Sequence, residues 1–252
     1  MPLLARYRSL SLARRWIGDI NHFGLKSQVA GESVVFHLKS VAAARRSRQP
    51  LILWAAIFVK AIAITARRYP ILRQCYIPYP WQHIYEHPES VVAVVIEREW
   101  NGEHAVFFGH VRSPDRKSLA EIDAKVRSLK SRPIETVPSY RRLIRIARLP
   151  LFLRRLIWHL LLYCSGRVHS HSVGTASINS LPGRDILVIQ ATTPLTLSLY
   201  FSPLEPNGDM KIQFFFDHRV VNGMEIYRMF RDLEATLNGE IADELRQMAN
   251  TA

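Results

Sequence analysis

Residues 214–224 read Phe214-Phe-Phe-Asp-His-Arg-Val-Val-Asn-Gly-Met224, and their order decides the fold. The aromatic run favours a strand, Asp217-His218-Arg219 makes a charged turn, and Asn222-Gly223 opens an amphipathic helix. Ile226, Phe230, Leu233 and Leu237 fall on one face of that helix. His218 therefore stands at a strand end, where its ring can project into a cleft. With an ordinary pKa of about 6.5, histidine takes up and returns a proton at neutral pH. A partly exposed histidine in a plain strand-to-helix turn fits the same spacing, so spacing alone leaves both readings open.

Upstream, 210–216 (MKIQFFF) is predicted as the strand that enters this turn, after the polar Glu205-Pro-Asn-Gly-Asp209. Segments 184–190 and 195–202 also suit strands. Farther back, 91–100 (VVAVVIEREW) and 103–111 (EHAVFFGHV) flank Asn101-Gly102, a strong hairpin signal. Ser118-Leu-Ala-Glu121 reads as a capping box, with Leu119, Ile122, Val126 and Leu129 at helical spacing. The apolar 51–66 (LILWAAIFVKAIAITA) follows Pro50 and is closed by Arg67-Arg68-Tyr69-Pro70, which predicts a buried helix. Residues 33–38 suit a strand and 1–20 a short amphipathic helix. Strands and helices interleave without a regular βαβ rhythm, which favours an α+β sandwich in a single domain over 1–252.

The chain has 252 residues, enough to bury a sizeable core without disulfides. Hydrophobic residues make up 48% and charged residues 22%, which excludes disorder as the main state. Cys75 and Cys164 cannot build a disulfide framework and are expected as reduced thiols in a cytoplasmic protein. The amino-terminal residues carry no signal-peptide pattern. Neither 51–66 nor 149–163 makes a good transmembrane helix, the first being short and holding Lys60, the second holding Arg154, Arg155 and His159.

Lys and Arg total 34 against 21 acids, a formal net charge of +13, so the chain attracts polyanions: nucleic acid, anionic lipid or a phosphate-bearing ligand. Residues 141–155 (RRLIRIARLPLFLRR) hold six arginines and no acid. Arg141, Arg145 and Arg148 share a helical face, Leu143, Ile144 and Ala147 turn away, and Pro150 breaks the helix. Such a face contacts lipid or an acidic partner, or is simply solvated over a buried stripe. Phosphate-loop, dinucleotide, nucleophile-elbow and HExxH motifs are all missing. His169-Ser-His171 lacks a suitably spaced carboxylate or thiolate, and Pro80 and Pro88 argue against a helix that would bring His83 and His87 together, so no metal is expected.

The stretch DHRVVNGMEIYRMFRDLEATLNG resembles the DHRxxDG signature that closes the catalytic domain of 2-oxoacid dehydrogenase dihydrolipoyl acyltransferases, whose fold and histidine are shared with chloramphenicol acetyltransferase. Lys117-Ser-Leu-Ala-Glu-Ile122 resembles that family's KSLxEI helix start. Gly174-Thr-Ala-Ser-Ile-Asn-Ser-Leu181 resembles its GTFTISNLG strand, and Arg68-Tyr-Pro-Ile-Leu72 the end of the helix before its proline turn. These islands keep the family's order over about 50–130 and 172–240.

The resemblance implies a chloramphenicol acetyltransferase-like two-layer α+β sandwich with a mixed sheet, assembled as a homotrimer or a multiple of trimers. It implies an acyltransferase that moves an acyl group from a coenzyme A thioester, or from phosphopantetheine on an acidic carrier protein, to a small hydroxyl, amine or thiol. His218 maps to the general base. A polar side chain of the 174–181 strand, across the subunit interface, holds the oxyanion, a donor whose effect is felt only as charge develops.

Two departures follow. The usual acid four residues after the histidine is Asn222, and the strand's Ser-Asn order is reversed. Thr175, Ser177 and Asn179 share one face of that strand and Ser180 the other, so Asn179 donates, or a bulge brings Ser180 round. Asp217, Arg219, Asn222 and Gly223 hold the turn. No lipoyl or subunit-binding domain is seen. The basic insertion 133–170 has three candidate roles: lining an acyl pocket, docking a carrier protein, or touching membrane through 141–163. The competing reading is a catalytically weak trimeric scaffold or partner-binding module. Nucleic-acid binding rests on charge alone and is not expected.

Overall fold

The structure is a computed structural model and describes residues 9–47 and 49–250. In chain order it runs through α1 (Leu12–Gly24), β1 (Val29–His37), α2 (Lys39–Arg46), α3 (Trp54–Arg68), β2 (Gln74–Ile77), β3 (His83–Glu86), β4 (Val91–Trp100) and β5 (Glu103–Arg112). There follow α4 (Leu119–Ser131), α5 (Pro138–Ala147), α6 (Leu151–Tyr163), α7 (Gly166–Ser172), β6 (Ala176–Ser180), β7 (Leu197–Phe201), β8 (Asp209–Asp217), α8 (Gly223–Thr236) and α9 (Ala242–Asn250). The early residues of the helix predicted over 1–20 lie outside the described residues.

Local chemistry accounts for most element ends. Asn101 and Gly102 both take positive φ, 52° and 75°, as a two-residue turn matched to strand twist requires. The Ser118 hydroxyl accepts from Glu121 N–H at 3.2 Å, and the Glu121 carboxylate accepts from Ser118 N–H at 2.8 Å, starting α4. Arg148 and Pro150 lie between α5 and α6, so the expected break is there, and Arg141, Arg145 and Arg148 are exposed while Leu143, Ile144 and Ala147 are buried. α3 is apolar nearly all round and correspondingly buried. Its Lys60 ammonium is paired with Glu244 of α9 at 2.5 Å. No helix among the described residues is long and apolar enough to cross a membrane.

Six strands form one mixed sheet in the order β1-β8-β7-β6-β4-β5, and β2 and β3 pair separately. Parallel pairing joins β4 to β6 and β6 to β7; the other ladders are antiparallel. One face of the sheet carries Val92, Val94, Ile178, Leu199, Ile212 and Phe214 into the main core beneath α3, α4 and α8. There Phe214 stacks on Phe230 with ring centroids 3.6 Å apart. The opposite face is covered by α1, α5 and α6, which wrap round the β5 edge; the Trp16 indole donates to Val106 O at 3.1 Å and packs on Phe107.

The segment 184–190 is not a strand. Since β6 and β7 are parallel neighbours, the chain between them must cross back over the sheet. Residues 181–196 make that crossover as irregular chain, and Ile186, Leu187 and Ile189 are exposed. The Gln213 amide holds the crossover in place of a ladder, accepting from Val188 N–H at 3.0 Å and donating to Val188 O at 3.2 Å. β2, β3, α2 and α7 carry no sequence signal strong enough to have been predicted.

Candidate active site

The turn after β8 is built around Asp217. Its carboxylate is buried, accepts from Arg219 N–H at 2.9 Å and takes the guanidinium through Nε at 2.9 Å and Nη2 at 2.6 Å. The Asp217 carbonyl accepts from Val220 N–H and Val221 N–H, both at 3.0 Å. Arg219 lies over the Tyr76 ring, 4.4 Å from its centroid. A charge-assisted, two-pronged pair of this kind is rigid as well as strong.

The backbone of His218 is tied by its N–H to Gln28 O at 2.9 Å, while its ring is exposed and rests edge-on against Phe216 at 5.0 Å. The ring makes no hydrogen bond within the described residues, so both nitrogens are free for a reactant. Asn222 caps α8, its N–H donating to the Glu225 carboxylate at 3.2 Å. Gly223 is the first residue of α8, and a Cβ there would meet nothing within 4 Å, so glycine is not sterically required.

The second half of the site lies on β6. Gly174 leads into it with φ 120°, and a Cβ there would lie 3.0 Å from Val91 O. Thr175 closes the strand's start against β4, with its Oγ1 accepting from Val91 N–H at 3.1 Å. A row of side chains then runs across the face of the sheet that α1, α5 and α6 cover. His110, Ala93, Ser177 and Ser198 are successive cross-strand neighbours. The Ser177 hydroxyl donates to Ser198 Oγ at 2.8 Å, which donates to Thr193 Oγ1 at 2.9 Å. The Asn179 amide donates weakly to Ser177 Oγ and to Leu199 O, both at 3.4 Å. Those long contacts leave its N–H groups available. The register of β6 on β7 is unbroken from Ala176↔Leu197 to Ser180↔Phe201. No bulge exists to bring Ser180 round, and Ser180 stays on the Ala176 and Ile178 side.

Ser177 and Asn179 line a partly open cavity of about 400 Å³ between the sheet and α1, α5 and α6. Small side chains in one row of its floor, Ala93, Ser177 and Ser198, make the depth. Ile17, Leu143, Ile146, Trp158, Leu161 and Phe108 supply much of the apolar wall. The basic insertion therefore lines a pocket. At the rim, Lys125, Arg142 and His171 are exposed, and Arg112 is braced on His171 at 2.8 Å.

His218 and Asn179 do not meet within one chain. Asn179 is level with Tyr200 on β7, which is level with Gln213 on β8. His218 lies five residues beyond Gln213, so the two are separated by about 16 Å along the strands and about 10 Å across them.

Two further histidines belong to this region, one half-buried and one fully buried. His110 sits at the cavity floor with Nε2 donating to Val173 O at 3.0 Å. His169 lies buried near Asp217 and Arg219, with neither ring nitrogen hydrogen-bonded. Burial pushes both down to about 4. The His169-Ser-His171 pattern was a signal, but one weighed only for metal; among the described residues no group of three or more ligating side chains could hold a metal ion. Burial likewise pushes the Cys75 thiol up to about 11, and no reactive thiolate results.

The depressed histidines have a measurable consequence. Below pH 6.5 the unfolded chain takes up protons that the folded chain refuses until about pH 4. Stability is full above pH 6.5 and falls as pH drops through that window, by up to about 1.4 kcal/mol per pH unit for each ring. Urea titrations at pH 7.5, 5.5 and 4.5 are expected to show this slope, and His169→Leu to remove part of it, the rest belonging to His110 and to His22, His87 and His171, whose pKa values burial also lowers. An unchanged slope in the variant would show that other groups, and not this ring, carry the acid sensitivity.

No model of a known protein family matches the sequence, and no curated protein matches it. Solved structures do. The dihydrolipoamide acetyltransferase of Azotobacter vinelandii superposes with a TM-score of 0.67 at 14% identity, over 96% of this chain and 98% of that one. The fold is chloramphenicol acetyltransferase-like. A truncated catalytic core of the 2-oxoacid dehydrogenase complex from Thermoplasma acidophilum matches at TM-score 0.64 and 13% identity, over 94% and 99% of the two chains. A chloramphenicol acetyltransferase matches at 0.54 and 12%, over 91% and 99%. The chloramphenicol acetyltransferase-like fold and the mixed sheet expected from the sequence motifs are thus present, although so little sequence is shared.

Proposed function

We propose that this chain is a trimeric acyltransferase in which His218 of one copy and Asn179 of a neighbouring copy form each active site. The observation that carries the reading is their separation: an exposed, unengaged base and a cavity-facing amide, too far apart to cooperate within one chain. The fold supports it, being that of acetyltransferases. In the Azotobacter enzyme the residues studied for the catalytic mechanism are a serine, a histidine and an asparagine, the last two four positions apart. His218 and Asn222 have the same spacing.

In the reaction, an imidazole nitrogen of His218 takes the proton of an acceptor hydroxyl, amine or thiol. The acceptor's electron pair adds to the carbonyl carbon of a coenzyme A or phosphopantetheine thioester, and the carbonyl electrons move to oxygen. The Asn179 amide donates to that oxyanion in the role the resemblance gives a hydroxyl. Collapse breaks the carbon–sulfur bond, and the thiolate recovers the proton from the imidazolium. Asp217 and Arg219 keep the turn from moving while this happens. Asn222 and Gly223 place the start of α8, and Thr175 and Ser177 fix the donor strand.

The test mixes two inactive proteins. Homotrimers of His218→Ala and of Asn179→Ala are each expected to lose thiol release from an acyl-coenzyme A offered with hydroxyl and amine acceptors. Co-expressed one to one, three quarters of the trimers contain one intact site of three, restoring about a quarter of the wild-type rate. Mixtures as dead as their parents would place base and donor in the same chain and overturn the shared site. Absence of transfer by the wild type with every acceptor would favour the scaffold reading.

A further inference from the structure

We propose that the cavity beneath α1, α5 and α6 holds the hydrocarbon chain of the acyl donor, and that the preferred chain has about a dozen carbons. The inference rests on the acyl-transfer reading above and adds the substrate class. Its volume is about 400 Å³. A methylene fills roughly the 30 Å³ that a water molecule takes in the liquid, so about thirteen carbons fit. An acetyl group would leave most of that space unused.

The chemistry of the lining is divided. Ser177, Asn179, Ser198 and Thr193 form one polar strip of the floor, where a thioester carbonyl has a donor, and Asn21, His110 and Ser139 are further polar groups of the lining. Much of the wall across from this strip is aliphatic or aromatic and comes from Leu143, Ile146, Trp158 and Leu161, which belong to the insertion. A methylene moved from water into such a lining tightens binding about fourfold. The rim adds the cations Lys125, Arg142 and Arg112, while burial and the Arg112 guanidinium hold the His171 ring beside them toward its neutral form. Positive charge there suits an amphiphile with an anionic head, which a coenzyme A thioester carries in its phosphates and a free fatty acid in its carboxylate.

Binding of saturated acyl-coenzyme A esters and of free fatty acids, each from two to sixteen carbons, separates these cases without any need for turnover. For the thioesters the affinity is expected to rise about fourfold per methylene and to level off near twelve carbons. Two variants fill the cavity from opposite sides, Ala93→Leu from the floor and Leu161→Trp from the lid. Each is expected to weaken the twelve-carbon ester at least tenfold and to move the plateau to shorter chains. A profile flat in chain length, with acetyl transfer intact, would overturn the pocket and spare the acyl-transfer reading. A length-dependent profile with no transfer to any acceptor would keep the pocket and overturn that reading. Free acids binding as tightly as thioesters would overturn the assignment to a donor.

Discussion

Replacing His218 with alanine is expected to lower turnover by a factor of about 10² to 10⁴, the usual contribution of a positioned proton acceptor. The fold is expected to survive. The ring is exposed, rests edge-on against Phe216, and makes no hydrogen bond to the turn, whose bonds run through the backbone of His218 and the side chains of Asp217 and Arg219. A melting temperature within a few degrees of wild type, with thioester binding retained and thiol release lost, is therefore the predicted combination. Turnover that persists in the variant would remove His218 from the chemistry. A turnover loss accompanied by unfolding would instead make the residue part of the turn's framework.

The largest effect on stability is expected at Asp19. This carboxylate on α1 is almost fully buried and receives Arg154 of α6 through Nε at 2.7 Å and Nη2 at 3.3 Å, with Arg155 Nε at 3.4 Å. Two guanidinium groups thus depend on one acid. Asp19→Ala leaves them close together without an anion, and the expected cost is about 3–5 kcal/mol by urea denaturation. Because the pair joins α1 to α6, the loss falls on the cover of the cavity. Replacing Asp19 and Arg154 together with apolar residues of similar size is expected to cost much less, since the two buried charges go together and only the part-exposed Arg155 is left without its anion. Equal losses in the single and double variants would show that packing, and not the unpaired charge, sets the cost.

Some of this arrangement is legible in the sequence because its signals are local. Asn101-Gly102 dictates a turn, Ser118 and Glu121 satisfy each other's backbone, and Pro150 cannot stand inside a continuous helix. The Asp217-His218-Arg219 turn is legible too, since strand, turn and cap follow one another within eleven residues. What stays hidden depends on register between distant segments. Ala93, Ser177 and Ser198 are unremarkable small residues until three strands bring them into one row and hollow out the floor. The segment 184–190, with its apolar 186–189, looks like a strand because a crossover on a parallel sheet has no local mark of its own. The same holds for Asn179 and Ser180: alternation puts them on opposite faces, but only the unbroken register decides which one reaches the cavity.

The pairing of β1 with β8 has a temporal side. Val29 is matched to Asp217 and His37 to Asp209, so the first strand waits for the last. At about 5–20 residues per second, synthesis of the chain between them occupies roughly ten to forty seconds. Throughout that interval β1 has no edge to bind, and Gln28 has no His218 to receive. The β4 and β5 hairpin is complete long before β1 has its partner, and the turn bearing the proposed base is among the last parts of the chain to be made.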